Sequence, residues 1–185
     1  MLEETLLPVD ESIVSSTIVL PKQVLGKNIS IHSKINGFPD LEDVRIAIVG
    51  VNELRNSFFN INRYNISEFR KEFYKLYPGN WKYKISDLGD IPNGDSVEDT
   101  YFVLKEICQF LRQINIIPVL IGGSHDLTFP IYKSFENSNQ WVNITSIDNM
   151  FDLSQNEKLI SGLSYMSSVI MEKPSNLNSF SNLGY

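Results

Sequence analysis

Several features that would settle the class of this protein quickly are missing from its sequence. A single cysteine, Cys108, stands among 185 residues, so no disulfide can form within the chain and a reducing compartment is the simpler setting. Basic runs are absent. The 16 Lys and Arg residues against 22 Asp and Glu leave a formal charge of −6, which indicates neither a nucleic-acid groove nor an anionic membrane surface. No stretch approaches the roughly 20 apolar residues that span a bilayer. The acidic opening MLEETLLPVDES lacks the basic start and apolar run of a signal peptide. There is no internal repeat. These absences point to a cytoplasmic protein whose partners are small and neutral or cationic, with no nucleic acid and no membrane.

What is present suits one globular domain, since 42% of the residues are hydrophobic and 11% aromatic. Residues 1–44 mix short apolar runs with Pro8, Pro21, Gly26, Gly37 and Pro39, which predicts an irregular amino-terminal arm packed on a domain spanning 45–185. RIAIVGV, residues 45–51, reads as a strand buried on both faces. ISEFRKEFYKLYPG, residues 66–79, places Ile66, Phe69, Phe73 and Leu76 at helical spacing and stops at Pro78 and Gly79. WKYKISDLGD predicts a second strand. Asp95 with Glu98 resembles a capping box before a stripe of Val97, Tyr101, Leu104, Cys108, Leu111 and Ile114. IPVLIGG is a further apolar strand, LTFPIYKSFE a short helix with Pro130 in its opening turns, and WVNITSIDN another strand. A helix is expected around Lys158–Met171, followed by a Ser/Asn-rich tail without a closing element. Strand and helix alternate, so the fold class is α/β, a three-layer αβα arrangement with a mostly parallel sheet whose sites gather at the carboxyl ends of its strands.

Two segments, GGSHD at 122–126 and DNMFD at 148–152, lie at such ends. Ser124, His125 and Asp126 contain the residue types of a hydrolytic triad, but three consecutive side chains project in different directions and cannot converge, and the Gly-x-Ser-x-Gly elbow is missing. A phosphate loop would need a GK[ST] or GxGxxG pattern, and neither is there. Gly122 and Gly123 also serve a tight strand-to-helix turn, with Asp126 or Thr128 capping the next helix. A metal reading brings in the second segment: His125, Asp148 and Asp152 supply one imidazole and two carboxylates, a donor set suited to a hard or borderline divalent ion.

Together these segments resemble the ureohydrolase family of arginases, agmatinases and formimidoylglutamases. Members carry Gly-Gly-Asp-His-Ser after one strand, Asp-Ala-His-x-Asp after the following one, and Asp-x-Asp much further on. The likeness runs from RIAIVGV through DLGDIPNGDS to DNMFD, over most of residues 45–153. It implies hydrolysis of a C–N bond in a small guanidino or formimino substrate, by water activated between two manganese ions. It implies that His125, Asp148 and Asp152 are retained metal ligands, and oligomers are common in the family. The departures are as informative. Met150 replaces a histidine ligand with a soft thioether that manganese does not favour, Ser124 and Asp126 exchange the family's aspartate and serine, and no Asp-x-Asp follows. At most one weak manganese site is therefore expected. The sheet is expected to be incomplete, with the chain an amino-terminal portion completed by further sequence or another chain. A catalytically inactive scaffold for binding or assembly is the alternative function.

The remaining features have plainer readings. Trp81 and Trp141 are expected to cover the sheet, and His32 is assigned no role. Tyr64, Tyr74, Tyr77 and Tyr83 with Phe58, Phe59, Phe69 and Phe73 are read mainly as helix packing. Asp87, Asp90 and Asp95 surround a Pro-Asn-Gly turn, where caps and turns are their usual use.

Overall fold

A computed structural model describes residues 2–58, 65–80, 82–155 and 160–185. Phe59, Tyr64, Trp81 and Lys158 lie outside the described residues. The chain divides into two compact units, the first comprising residues 1–52, 63–93 and 110–122, the second 53–62, 94–109 and 123–185.

The first unit holds a parallel sheet. Its strands are β1 (Ser30–Ile31), β2 (Val44–Val51), β3 (Lys84–Ile91) and β4 (Ile117–Ile121), in the order β1-β3-β2-β4. β2 reads as a buried strand because it is one: Ala47, Val49 and Val51 are all at 0% exposure between two paired neighbours. The segment expected to be irregular instead folds into short helices, α1 (Leu2–Thr5), α2 (Glu11–Ser16, capped by the Asp10 side chain) and α3 (Leu25–Asn28). Val9 and Ile13 from this segment bury against Tyr74, and β1 joins the sheet beside β3. Buried His32 meets the Leu88 carbonyl oxygen through Nδ1 at 3.0 Å.

Helix α4 (Ile66–Phe73) begins at Asn65, whose side chain accepts from the Ser67 amide. Its buried face departs from the expected stripe. Ile66 is buried and Phe73 packs on the core as expected, but Arg70 and the following Tyr74 are buried too, whereas Phe69 and Leu76 are exposed. Arg70 spends its guanidinium on Asp87, at 2.8 and 2.9 Å, and on Asp90 at 2.8 Å. Two of the three aspartates assigned to turns are thus partners of a buried cation. β4 is an end strand, and although wholly apolar it leaves Ile117 at 62% and Val119 at 37% exposure, with no strand on its other edge among the described residues.

In the second unit, β5 (Val142–Ile147) pairs in parallel with β6 (Leu177–Leu183). The Ser/Asn-rich tail was expected to contain no closing element, and this strand corrects that reading. α6 (Thr128–Lys133) and α7 (Tyr165–Met171) pack here around Tyr132, Val142, Tyr165, Met166 and Val169. Pro130 sits in the first turn of α6, where its missing N–H costs nothing. Trp141, expected to cover the sheet, is instead 73% exposed. α5 (Val97–Gln113) runs through both stretches of chain, burying Leu104, Cys108 and Leu111 as the stripe predicts. Its capping box lies one residue later than expected: the Asp99 carboxylate accepts from Ser96 N at 2.8 Å while Ser96 Oγ accepts from Asp99 N at 3.1 Å. Among the described residues no helix is long and apolar enough to cross a membrane.

Candidate metal site

Sequence positions 125, 148 and 152 meet in the second unit. β4 ends at Ile121, and Gly122 and Gly123 follow at φ of +99° and +74°, a left-handed conformation that side chains resist. A Cβ on Gly123 would stand 2.1 Å from Leu127 Cδ1 and 3.2 Å from the Glu53 carbonyl oxygen, so glycine is required for closeness as well as dihedral. The chain then enters a 3-10 turn, His125–Leu127, and presents the imidazole.

The second set of ligands comes from the loop after β5. Asp148 N is held by the Leu183 carbonyl of β6 at 3.0 Å, and Asp148 Oδ1 accepts from Met150 N at 3.2 Å. Asn182 of β6 donates through Nδ2 to the Met150 carbonyl at 2.5 Å. The chain passes through a left-handed conformation at Asp152, φ +52°, which aspartate adopts more readily than most residues. β6 thus fixes the loop, a role that could not be foreseen without foreseeing the strand.

His125 Nδ1 lies 3.1 Å from Asp148 Oδ2 and 3.2 Å from Asp152 Oδ2. One ligand atom from each residue falls within 4.8 Å of the others, and this is the group of potential ligands found among the described residues. Donors bonded at ~2.1 Å to one ion stand about 3 Å apart when adjacent and just over 4 Å when opposite, so these separations suit a shared cation. Burial supports the same reading. Asp152 is 4% exposed, and its Oδ1 is buried without a hydrogen-bond partner among the described residues. Desolvation holds its carboxyl above the usual carboxylate range, helped by the negative Asp148 and opposed by His125. A buried acceptor with unused lone pairs is costly unless a proton or cation fills it. The Tyr165 and His125 rings are nearly perpendicular, with centroids 6.3 Å apart.

The serine-nucleophile and helix-cap alternatives do not survive. Ser124 Oγ donates to Asp126, not to His125, and Asp126 is wholly buried, accepting a second hydrogen bond from the Tyr101 hydroxyl. Neither Asp126 nor Thr128 caps α6, whose N-cap is Leu127 with no side-chain bond. The residues before this loop carry their own charged cluster. Glu53, at 0% exposure, accepts from Arg55 Nε at 3.0 Å and from Thr100 Oγ1 at 3.0 Å, while Arg55 Nη2 also donates to the Gly94 and Ser96 carbonyls. Burial alone raises Glu53, but these hydrogen bonds together outweigh it and hold its carboxyl below the usual range. Sequence reasoning passed over Glu53, Arg55 and Tyr165 because none stands in a recognisable spacing.

Residues 46–180 match the sequence model of the arginase family. The chain belongs to the arginase family. Among solved structures, this arginase-family chain is similar to Trypanosoma cruzi formiminoglutamase, described with Mn2+, at 18% identity and a TM-score of 0.69 over 85% of this chain and 56% of that one. It is also similar to the formimidoylglutamase of Bacillus subtilis, at 14% identity and a TM-score of 0.67 over 80% of this chain and 50% of that one. At these identities the likeness establishes the fold, a mostly parallel α/β sheet with helices. An agmatinase of Pyrococcus horikoshii is 38% identical over 55 residues, covering 29% of this chain and 19% of its own. The chain spans about half the length of the solved structures it matches.

Proposed function

We propose that this chain is the metal-binding portion of a metal-dependent hydrolase acting on a C–N bond of a small guanidino or formimino compound, with His125, Asp148 and Asp152 holding one manganese ion. The observation that carries the reading is the meeting of His125 Nδ1 with both carboxylates at 3.1 and 3.2 Å beside an unpartnered, buried Asp152 Oδ1. A bound ion would lower the pKa of a coordinated water and stabilise negative charge developing on the substrate. The residues of this chain contribute orientation. The Leu183 carbonyl and Asn182 fix the 148–152 loop, and the 3-10 turn presents His125.

Met150 favours a second reading, a relative that keeps the fold for binding or assembly. It stands where the family motif has an imidazole, and a thioether is a poor donor to manganese. Calorimetric titration of the complete protein with Mn2+, paired with assays for urea or formamide release from arginine, agmatine and formiminoglutamate, separates the two. The hydrolase reading expects one ion per chain and loss of both binding and release in His125→Ala. No binding at millimolar Mn2+ sinks it and leaves the scaffold.

A further inference from the structure

The exchange of serine and aspartate around His125 has a geometric answer in the second unit. Ser124 and Asp126 flank the imidazole in sequence and hydrogen-bond to each other across it, with Ser124 Oγ donating to Asp126 Oδ1. Both ends of this brace are anchored. Ser124 N donates to the Glu53 carbonyl at 3.1 Å, and the Tyr101 hydroxyl of α5 donates to Asp126 Oδ2. Tyr101 is itself held, accepting from Asn56 Nδ2 at 3.1 Å, while the Asn56 carbonyl accepts from Gly162 N at 3.1 Å. Gly162 packs against the backbone of His125, where a Cβ would stand 3.9 Å from His125 N and 4.0 Å from its Cβ.

Among the described residues none of these groups hydrogen-bonds to the carboxylates of Asp148 or Asp152, yet all converge on the turn that carries the imidazole. Asp126 has both oxygens engaged and is wholly buried, so it cannot serve as a ligand in place of the aspartate that Ser124 replaces. Burial and the Asp126 carboxylate push the Tyr101 hydroxyl far up, which keeps it a donor at every ordinary pH.

We propose that Tyr101 is a positioning residue for His125. Acting through the Asp126–Ser124 brace, it fixes the direction of the imidazole and so sets the affinity of the site for a divalent ion; the affinity part rests on the metal reading above. Reversing the motif order moves the carboxylate away from the place where the Tyr101 hydroxyl meets it.

The test uses the full chain with Tyr101→Phe, with the double variant Ser124→Asp/Asp126→Ser, and with Leu104→Ala as a packing control on the same helix. Mn2+ affinity is measured by calorimetry, and the ring resonances of His125 are measured by NMR in metal-free protein. The chain has two histidines, so His125→Ala completes the assignment. The expected result is Mn2+ binding about tenfold weaker in Tyr101→Phe, the lower end for loss of a group that orients a ligand. The His125 ring resonances should be displaced as well. Leu104→Ala should lower the unfolding midpoint while leaving both readouts in place. In the reversed motif, adding Tyr101→Phe should bring no further loss. If the double variant does not fold, Tyr101→Phe and the control decide alone. Unchanged affinity and unmoved His125 resonances in Tyr101→Phe overturn the proposal. If the unaltered protein binds no Mn2+, the metal reading fails by itself. The positioning role then stands or falls on whether Tyr101→Phe displaces the His125 resonances.

Discussion

Asp87, in the middle of β3, and Asp152, in the loop after β5, are both buried aspartates, and they are used in opposite ways. Asp87 of β3, at 0% exposure, has no spare acceptor capacity. Its Oδ1 accepts from Arg70 Nη2 at 2.9 Å and Gly89 N at 3.0 Å, and its Oδ2 accepts from Arg70 Nε at 2.8 Å and the Tyr74 hydroxyl at 2.9 Å. Asp152, at 4% exposure, has His125 on one oxygen and, among the described residues, no hydrogen-bond partner on the other. A carboxylate surrounded by fixed donors is complete, and its business is holding the chain. One that is buried and half-satisfied is suited to a cation that arrives from outside. Burial alone does not distinguish structure from function here; the count of hydrogen-bond partners does.

The largest expected effect tests the complete carboxylate. Arg70→Met removes the cation and strands Asp87 in the core of the first unit, a change that typically costs about 3–5 kcal/mol. Urea unfolding should show that loss, and Arg70→Met with Asp87→Asn should recover much of it, because the uncompensated charge is gone. A loss under about 1 kcal/mol in the single variant would mean that water reaches Asp87 and that the cluster is not the sealed unit described.

The contrast between these two aspartates also shows what the sequence could convey. α5 was legible because its apolar residues repeat at the helical period, and β2 and β4 because each is a short unbroken apolar run. Arg70 was not, because a periodicity count scores only apolar positions. Of the predicted stripe Ile66 is buried and Phe73 packs on the core, but Phe69 and Leu76 are exposed and the buried face also contains a guanidinium. β6 was missed for a related reason. In LNSFSNL the apolar residues Leu177, Phe180 and Leu183 recur every third position, not every second, and the strand exists through pairing with β5 instead of through its own alternation. The three candidate ligands could be named because each follows a strand. Their convergence was invisible, since it depends on a left-handed Asp152 and on Asn182 and Leu183 of that unforeseen strand.

The next effect tests the incomplete carboxylate. In the absence of metal, Asp152→Asn should cost the second unit little, because burial already disfavours the ionised form that the amide replaces. With Mn2+ at a hundred times its dissociation constant, the unaltered protein should gain about 2.7 kcal/mol of stability and the variant none. Thermal unfolding with and without the ion measures both. Equal gains in the two proteins would place the ion elsewhere. A large loss without metal would show that Asp152 resembles Asp87 after all.

Asp90 stands between the two and should show the smallest effect. It takes one hydrogen bond from Arg70 Nη1 at 2.8 Å, and its side chain is 30% exposed. It approaches β2 so closely that a Cβ on Gly50 would lie 1.9 Å from its Oδ1. Desolvation raises its carboxyl above the ordinary 3.8, the charge of Arg70 opposes this, and Asp87 adds to it. A carboxyl raised in the folded state favours folding when protonated. That contribution is full below the unfolded value near 3.8 and is lost as pH rises through the folded one. Asp90→Asn should therefore change stability at pH 7 by no more than about 1 kcal/mol, since the lost ion pair is offset by removal of a disfavoured charge. On acidification through the folded pKa, the unaltered protein should gain on the variant. Denaturant midpoints for both proteins from pH 7 to pH 3 read this difference. The opposite trend, with the unaltered protein losing ground in acid, would mean that Arg70 serves Asp90 as fully as it serves Asp87, and the gradation from complete to incomplete carboxylate would reduce to a single exception at Asp152.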